Sequence, residues 1–297
     1  MQGGTKMKNK KLVSAIRFFV SVYLVSAVLY LPILLSGRGI SSAVTKLAML
    51  LITFVPSITG IIFVYRTRSR DERRDFWRRV LRWPVGKTGQ ALVYLFLFPC
   101  TILISLAVSY HFAGKPLPFS NVLSLFRDWR LLLQFLLVEF FLGAVSEELG
   151  WRGFVLDELQ SRFRPLASGL LLGVVWAFWH TPAFLIPGLS QYEMGGIFSM
   201  PYFSFLITVV MTSVIHTHAY NATGKSVLTA GVLMHFASNA TLVLFGGIFD
   251  AFYVPSLFWI FQPVLTFAAA AVTTFVSSSR ARAVSARQAA GSPALRT

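Results

Sequence analysis

Apolar runs long enough to cross a lipid bilayer recur eight times along this chain of 297 residues, separated by short polar or basic segments. About 20 apolar residues span the hydrocarbon core, where only helices and closed barrels satisfy their own backbone groups. The pattern therefore predicts an all-α, polytopic membrane protein with about eight transmembrane helices. The predicted spans are residues 12–35, 44–65, 90–112, 129–162, 166–186, 202–219, 227–245 and 252–276.

The two ends of the chain differ in composition from the spans. Residues 1–11 are polar and basic, and residues 277–297 are rich in Ser, Ala and Arg, so we expect both segments to be disordered. Between them we expect a single transmembrane domain, residues 12–276. Only 13% of the chain is charged, compared with about 25% in soluble domains, which supports the assignment to the membrane.

The basic residues are unevenly distributed between the connecting segments. Residues 66–87 alone contain nine Lys or Arg. With the N-terminus in the cytoplasm, 22 of the 27 Lys and Arg fall on the cytoplasmic side and five on the other side. This bias predicts a multi-pass protein of the cell membrane with both termini in the cytoplasm. Because the basic residues lie in the segments between spans, we expect the net charge of +16 to interact with anionic lipid headgroups and not with nucleic acid.

Two adjacent carboxylates interrupt the fourth apolar run. The chain has only 11 Asp and Glu, yet Glu147 and Glu148 lie here, followed by Arg152. An ionised group near the bilayer centre costs roughly 2.5–3.5 kcal/mol, so an intramembrane carboxylate indicates a functional site. Glu148 and Arg152 are spaced i,i+4 and can pair on one helix face, which leaves Glu147 free to face the interior of the bundle.

Polar residues on two other predicted spans can lie at the same depth in the membrane as Glu147. If the fourth and fifth spans form a hairpin that turns near residue 164, Glu147 and His180 both lie roughly 25 Å from the turn. His235 and Asn239 share one face of the seventh span, and Trp176 shares a face with His180. We therefore expect a polar cavity near mid-membrane that opens toward the cytoplasm and laterally to lipid.

These residue types suit the hydrolysis of a peptide bond. A buried carboxylate can act as a general base, and an imidazole can hold the same water or move its proton. A second imidazole and a carboxamide can stabilise the developing oxyanion. Glu147, His180 and His235 are also a possible zinc-ligand set, although no HExxH motif is present. The residues alone leave open whether zinc or no cofactor is used.

Three short motifs in the second half of the chain match a known family in type, order and spacing. EELGWR, WAFWH and HFASN resemble the EExxxR, aromatic-xxx-His and HxxxN motifs of the CPBP family, which contains CAAX proteases and bacteriocin-processing enzymes. The resemblance covers about residues 129–245, the expected protease core. It implies that the chain is an intramembrane protease. Members of the family have been described both as metalloproteases and as glutamate-dependent proteases.

The resemblance also assigns roles to individual residues. It implies Glu147 as the water-activating base with His180 as its partner, and His235 with Asn239 as the oxyanion-stabilising pair. Glu148 and Arg152 would shape the site. Many members carry an aromatic residue near the end of the sixth span, where this chain has His216 and His218. We interpret these two histidines as interfacial or packing residues.

Three functions fit the pattern to different degrees. The favoured one is an endopeptidase that cleaves near the membrane-embedded or lipidated end of a substrate. Prenylated proteins are the substrates of eukaryotic members, and a bacteriocin-like peptide or a membrane protein fits this sequence equally well. The alternative is a non-catalytic immunity or scaffold protein that binds a peptide in the same cavity. A transporter is disfavoured because no span is broken and no repeat relates the two halves.

Overall fold

The structure, a computed structural model, describes residues 2–37, 39–246 and 254–290. It confirms the predicted fold class, because the described residues form helices and no strand. Eight of the helices are long and apolar enough to cross a membrane. The helices are α1 (Gln2–Ser36), α2 (Ala43–Thr67), α3 (Arg70–Leu81), α4 (Thr88–Phe112), α5 (Phe119–Arg127), α6 (Trp129–Gln160), α7 (Pro165–Trp179), α8 (Ser190–Glu193), α9 (Met200–Ala222), α10 (Leu228–Phe245) and α11 (Phe258–Ala290).

The eight spanning helices are α1, α2, α4, α6, α7, α9, α10 and α11, and each corresponds to one predicted span. The first and last of these helices, α1 and α11, extend further toward the chain termini than predicted. Helix α1 begins at Gln2 and α11 continues to Ala290, so residues 2–11 and 277–290 are helical here although composition favoured disorder. Residues 291–297, the rest of the predicted tail, lie outside the described residues.

Helix α3 lies at the end of the bundle where the basic segment 66–87 connects α2 to α4. Its sequence specifies its start, because the Ser69 hydroxyl accepts from the Glu72 backbone N–H and the Glu72 carboxylate accepts from the Ser69 N–H at 2.9 Å. The apolar side chains of Phe76 and Val80 are buried against the bundle. The arginines between them remain available to the polar groups at this end.

Helices α2 and α6 approach each other closely enough to require glycine. A Cβ atom built on Gly150 would lie 2.2 Å from the carbonyl oxygen of Pro56, and one built on Gly60 would lie 2.7 Å from the Cα atom of Gly150. Small residues at such positions let two membrane helices pack backbone against backbone. This contact fixes α2 beside the turn of α6 that carries the two glutamates.

Helix α6 is not uniformly α-helical. Two π-helical segments, Val138–Val145 and Trp151–Val155, flank the α-helical turn Ser146–Gly150. Wider turns of this kind are frequent at functional sites. The segment that changes helix type is therefore the one that contains the predicted catalytic glutamate.

Ser57 of α2 bonds to the backbone of that turn. Its hydroxyl donates to the carbonyl oxygen of Val145 at 2.8 Å and accepts from the N–H of Leu149 at 3.2 Å. In a regular α-helix these two backbone groups would bond to each other, since they are four residues apart. The Ser57 side chain is thus inserted between them, a recognised cause of local helix distortion.

Candidate active site

A cavity of about 730 Å³ lies among the spanning helices and collects the residues that the sequence singled out. All four predicted catalytic side chains line it, together with Trp176, whereas Glu148 and Arg152 are fully buried behind its wall. The predicted convergence of these groups in one polar cavity is therefore present. The lining residues with the predicted roles are Glu147, Trp176, His180, His235 and Asn239.

Glu147 is held by indole groups and faces an imidazole. Its Oε2 atom accepts a hydrogen bond from Trp176 Nε1 at 2.6 Å and another from Trp151 Nε1 at 3.1 Å. Its Oε1 atom lies 3.9 Å from His180 Nε2. That separation is longer than a direct hydrogen bond and is of the kind that a shared water can bridge.

His180 directly follows the last residue of helix α7, and the carbonyl of Trp176 sets the orientation of its ring. Its Nδ1 atom lies 2.9 Å from the carbonyl oxygen of Trp176. A carbonyl oxygen only accepts, so Nδ1 carries the hydrogen and Nε2 of the neutral ring is an acceptor. The ring packs edge to face against Trp179 and Phe205, with centroids 4.9 and 5.3 Å away. Nε2 is consequently the atom that His180 presents to Glu147.

Glu148 forms the predicted ion pair with Arg152 and also contacts α10. Its Oε1 atom accepts from Arg152 Nη1 at 2.6 Å and lies 2.9 Å from His235 Nδ1. Gly231 makes this approach possible, because a Cβ atom there would lie 2.9 Å from Glu148 Oε2. The Arg152 guanidinium also lies over the Trp176 ring, 4.3 Å from its centroid. The ion pair therefore contacts two side chains of the cavity wall, with Glu148 orienting the His235 ring and Arg152 packing on the Trp176 ring.

Asn239 lies one turn beyond His235 on α10, beside a carboxylate that sequence reasoning missed. A Cβ atom at Gly143 would lie 3.1 Å from Asn239 Nδ2 and 3.2 Å from Glu139 Oε2, so all three groups meet at one point of the cavity wall. Glu139 belongs to the same span as Glu147. An acidic residue within an apolar run was the available signal for it.

The two histidines of α9 have different surroundings. His218 Nε2 lies 2.9 Å from the Thr274 hydroxyl, which joins α9 to α11 and agrees with a packing role. His216 is fully buried and lines the cavity, with its ring centroid 6.4 Å from that of Trp176. An interfacial position is therefore wrong for His216, which faces the site instead.

Exposed lining residues mark one end of the cavity. Its rim is formed by residues 188–194, between α7 and α9, where Gly188, Ser190 and Glu193 are exposed. The basic segment 66–87 lies at the other end and contributes no lining residue. The cavity is therefore lined from the end of the bundle opposite the basic segment, and not from the basic end where the sequence analysis placed the opening.

The residues proposed as a zinc-ligand set do not converge as such a set requires. Among the described residues, no group of three His, Cys, Asp or Glu side chains is arranged to hold a metal ion. His235 directs Nδ1 to Glu148, and Glu147 Oε2 is occupied by two indole N–H groups.

Comparison with known proteins gives two matches. Residues 129–241 match the family described as type II CAAX prenyl endopeptidase, Rce1-like. The chain is also similar to CAAX prenyl protease 2 of Methanococcus maripaludis, with 28% identity over 225 residues that cover 75% of this chain and 81% of that protein. The region matched by the family contains every candidate site residue from Glu139 to Asn239.

Proposed function

The chain belongs to the CPBP family of intramembrane proteases, and from that premise we propose that it hydrolyses a peptide bond with a water activated by Glu147. The bond would lie near the membrane-embedded or lipidated end of the substrate. Family membership supports the endopeptidase activity, whereas the proposed mechanism rests on the arrangement of side chains in the cavity.

The observation that carries the mechanism is the pairing of Glu147 Oε1 with His180 Nε2 across 3.9 Å. Both atoms are acceptors when His180 Nδ1 donates to the Trp176 carbonyl. A water between them donates both of its hydrogens and keeps its lone pairs free for attack. Trp151 and Trp176 hold the other carboxylate oxygen, so Oε1 is fixed in the direction of that water.

His235 and Asn239 supply the complementary half of the site. Because Glu148 occupies Nδ1 of His235, Nε2 is the ring nitrogen left for the substrate. Since Nδ1–H donates to the Glu148 carboxylate, a proton on Nε2 makes His235 an imidazolium; in that form Nε2–H donates to the oxyanion, and the Asn239 amide adds a second donor. Glu148 thus acts on the reaction by orienting His235, as carboxylates behind active-site imidazoles commonly do.

The reaction balances with these groups alone. The water oxygen bonds to the peptide carbonyl carbon while its proton passes to Glu147, and the carbonyl oxygen becomes an oxyanion that faces His235 and Asn239. Collapse of this intermediate breaks the C–N bond. Glu147 gives its proton to the departing nitrogen as that bond breaks, so the amine leaves neutral and the carboxylate is restored.

The test is cleavage of lipidated and unmodified fluorogenic peptides by purified protein in liposomes. Glu147→Gln keeps the shape of the side chain but removes the base, so we expect kcat to fall by roughly 10²–10⁴-fold. Asp71→Asn, an exposed carboxylate on α3 that does not line the cavity, is the matched control and should keep the wild-type rate. Full activity of Glu147→Gln would refute the mechanism.

A further inference from the structure

The active-site cavity is lined by residues from the middle of the bundle and from one of its ends. Its shallow wall includes the rim, residues 188–194, and Trp259 near the start of α11, whereas Glu147 and His216 lie at its deep end. No lining residue comes from 66–87, 161–164 or 223–227, which connect the helices at the opposite end.

That opposite end is closed by packed polar groups. Arg79 bonds to Asp157 at 2.8 Å and also to the buried Tyr220, and Lys225 bonds to Asp157 at 2.9 Å. Arg68 pairs with Glu158 in the same region. A second cavity of about 450 Å³ at this end shares no lining residue with the first. These contacts join α3, α6 and α9 beneath the site and leave the rim as the entrance.

The distribution of charge identifies the two ends. The closed end carries the nine Lys and Arg of residues 66–87, whereas residues 186–199, which include the rim, contain none. Lys and Arg in short loops mark the cytoplasmic side of membrane proteins. We infer that the active-site cavity is entered from the non-cytoplasmic side of the membrane.

The lining also restricts the substrate, an inference that rests on the proposed function. Glu139, Glu147 and Glu193 line the cavity, and no Lys or Arg does so among the described residues. The fully buried His216 also lines the cavity. The substrate class is therefore a neutral or basic peptide segment presented at the outer face, by secretion or by an anchor in the outer leaflet.

Cysteine labelling in intact cells tests the direction of entry without requiring activity. Cys100, the chain's one cysteine, is exposed and is first replaced by Ser. Ser190→Cys then places a thiol at the rim, and Val85→Cys places one in the basic connection, where Val85 is 88% exposed. Neither change alters the charges that determine orientation. A membrane-impermeant maleimide should label Ser190→Cys in intact cells and Val85→Cys only after permeabilisation.

Other outcomes separate the two proposals. Labelling of Val85→Cys in intact cells, alone or together with Ser190→Cys, overturns the inferred entrance but leaves the proposed mechanism standing. The predicted labelling without cleavage of any peptide supports the entrance and refutes the proposed function.

The charge preference is tested by measuring cleavage of two matched peptides, one with Lys and one with Glu within four residues of the scissile bond. We expect kcat/KM to be about tenfold higher for the Lys peptide, since like charges in a cavity disfavour binding. Equal values, or a preference for Glu, would overturn the inferred substrate class.

Discussion

Glu147 and Glu148 are adjacent in sequence but have different environments. Glu148 is fully buried between Arg152 and His235, whereas Glu147 borders the cavity and accepts from two indoles. The i,i+4 spacing of Glu148 and Arg152 was enough to predict which glutamate would pair and which would remain free. The bond from Trp176 could not be predicted, because it depends on how α6 and α7 pack.

Loss of the buried guanidinium should destabilise the fold. Arg152→Met leaves Glu148 buried without its closest cation, and breaking a buried ion pair in this way costs about 3–5 kcal/mol. We expect a clear fall in the midpoint of thermal unfolding in detergent. The double variant Glu148→Gln, Arg152→Met removes both charges and should recover much of that loss. A single variant as stable as the wild type would contradict the role assigned to the pair.

Removal of the Asn239 amide should affect the rate more than binding. If Asn239 donates to the oxyanion, Asn239→Ala should lower kcat by roughly 10²–10³-fold with little change in KM. Thr241→Ala is the control, since the Thr241 hydroxyl bonds to a carbonyl of its own helix. An effect confined to KM would place Asn239 in ground-state binding and not in the oxyanion site.

At the scale of elements, hydrophobic runs were sufficient to predict all eight spans. The long fourth span was expected as one helix and is one. Its two π-helical segments could not be predicted from the apolar pattern. The hydrogen bonds between Ser57 and the backbone of Val145 and Leu149 could not be predicted either, since they join residues about 90 positions apart in the chain. Contacts between helices, rather than propensity within one helix, determine this part of the site.

Ser57 should therefore influence catalysis although it does not line the cavity. Ser57→Ala removes both bonds to the turn that carries Glu147, and a small displacement of a catalytic group is enough to lower the rate. We expect kcat to fall on the order of tenfold or more while KM changes little. Thr67→Ala, on the same helix, is the control because its hydroxyl bonds within α2. An unchanged kcat for Ser57→Ala would show that packing alone positions the turn.

The glycine contact between α2 and α6 predicts an effect on stability. Gly150→Ala would bring a methyl group within 2.2 Å of the Pro56 carbonyl oxygen, so the two helices must separate. Overpacking of this kind costs about 1–3 kcal/mol and occasionally more. Gly89→Ala on α4 meets nothing within 4 Å and should have no such effect. Equal thermal unfolding midpoints for the two variants would contradict the close packing.

At the scale of the whole molecule, the depth argument correctly placed Glu147, His180 and His235 in one cavity. It compared heights along helices, which the sequence supplies. The direction in which the cavity opens depends on how residues 188–194 pack at one end and on the ionic contacts of Asp157 at the other. Those contacts join segments distant in sequence, so sequence reasoning expected the opposite end.

The central claim is that Glu147 activates the attacking water without a metal ion in that step. The most direct measurement is the cleavage rate of purified protein in liposomes after chelation and dialysis, with bound metal measured on the same sample. The account predicts an unchanged rate at a metal content well below one ion per chain, and loss of that rate in Glu147→Gln. A rate that falls with metal content and returns when zinc is added would contradict it.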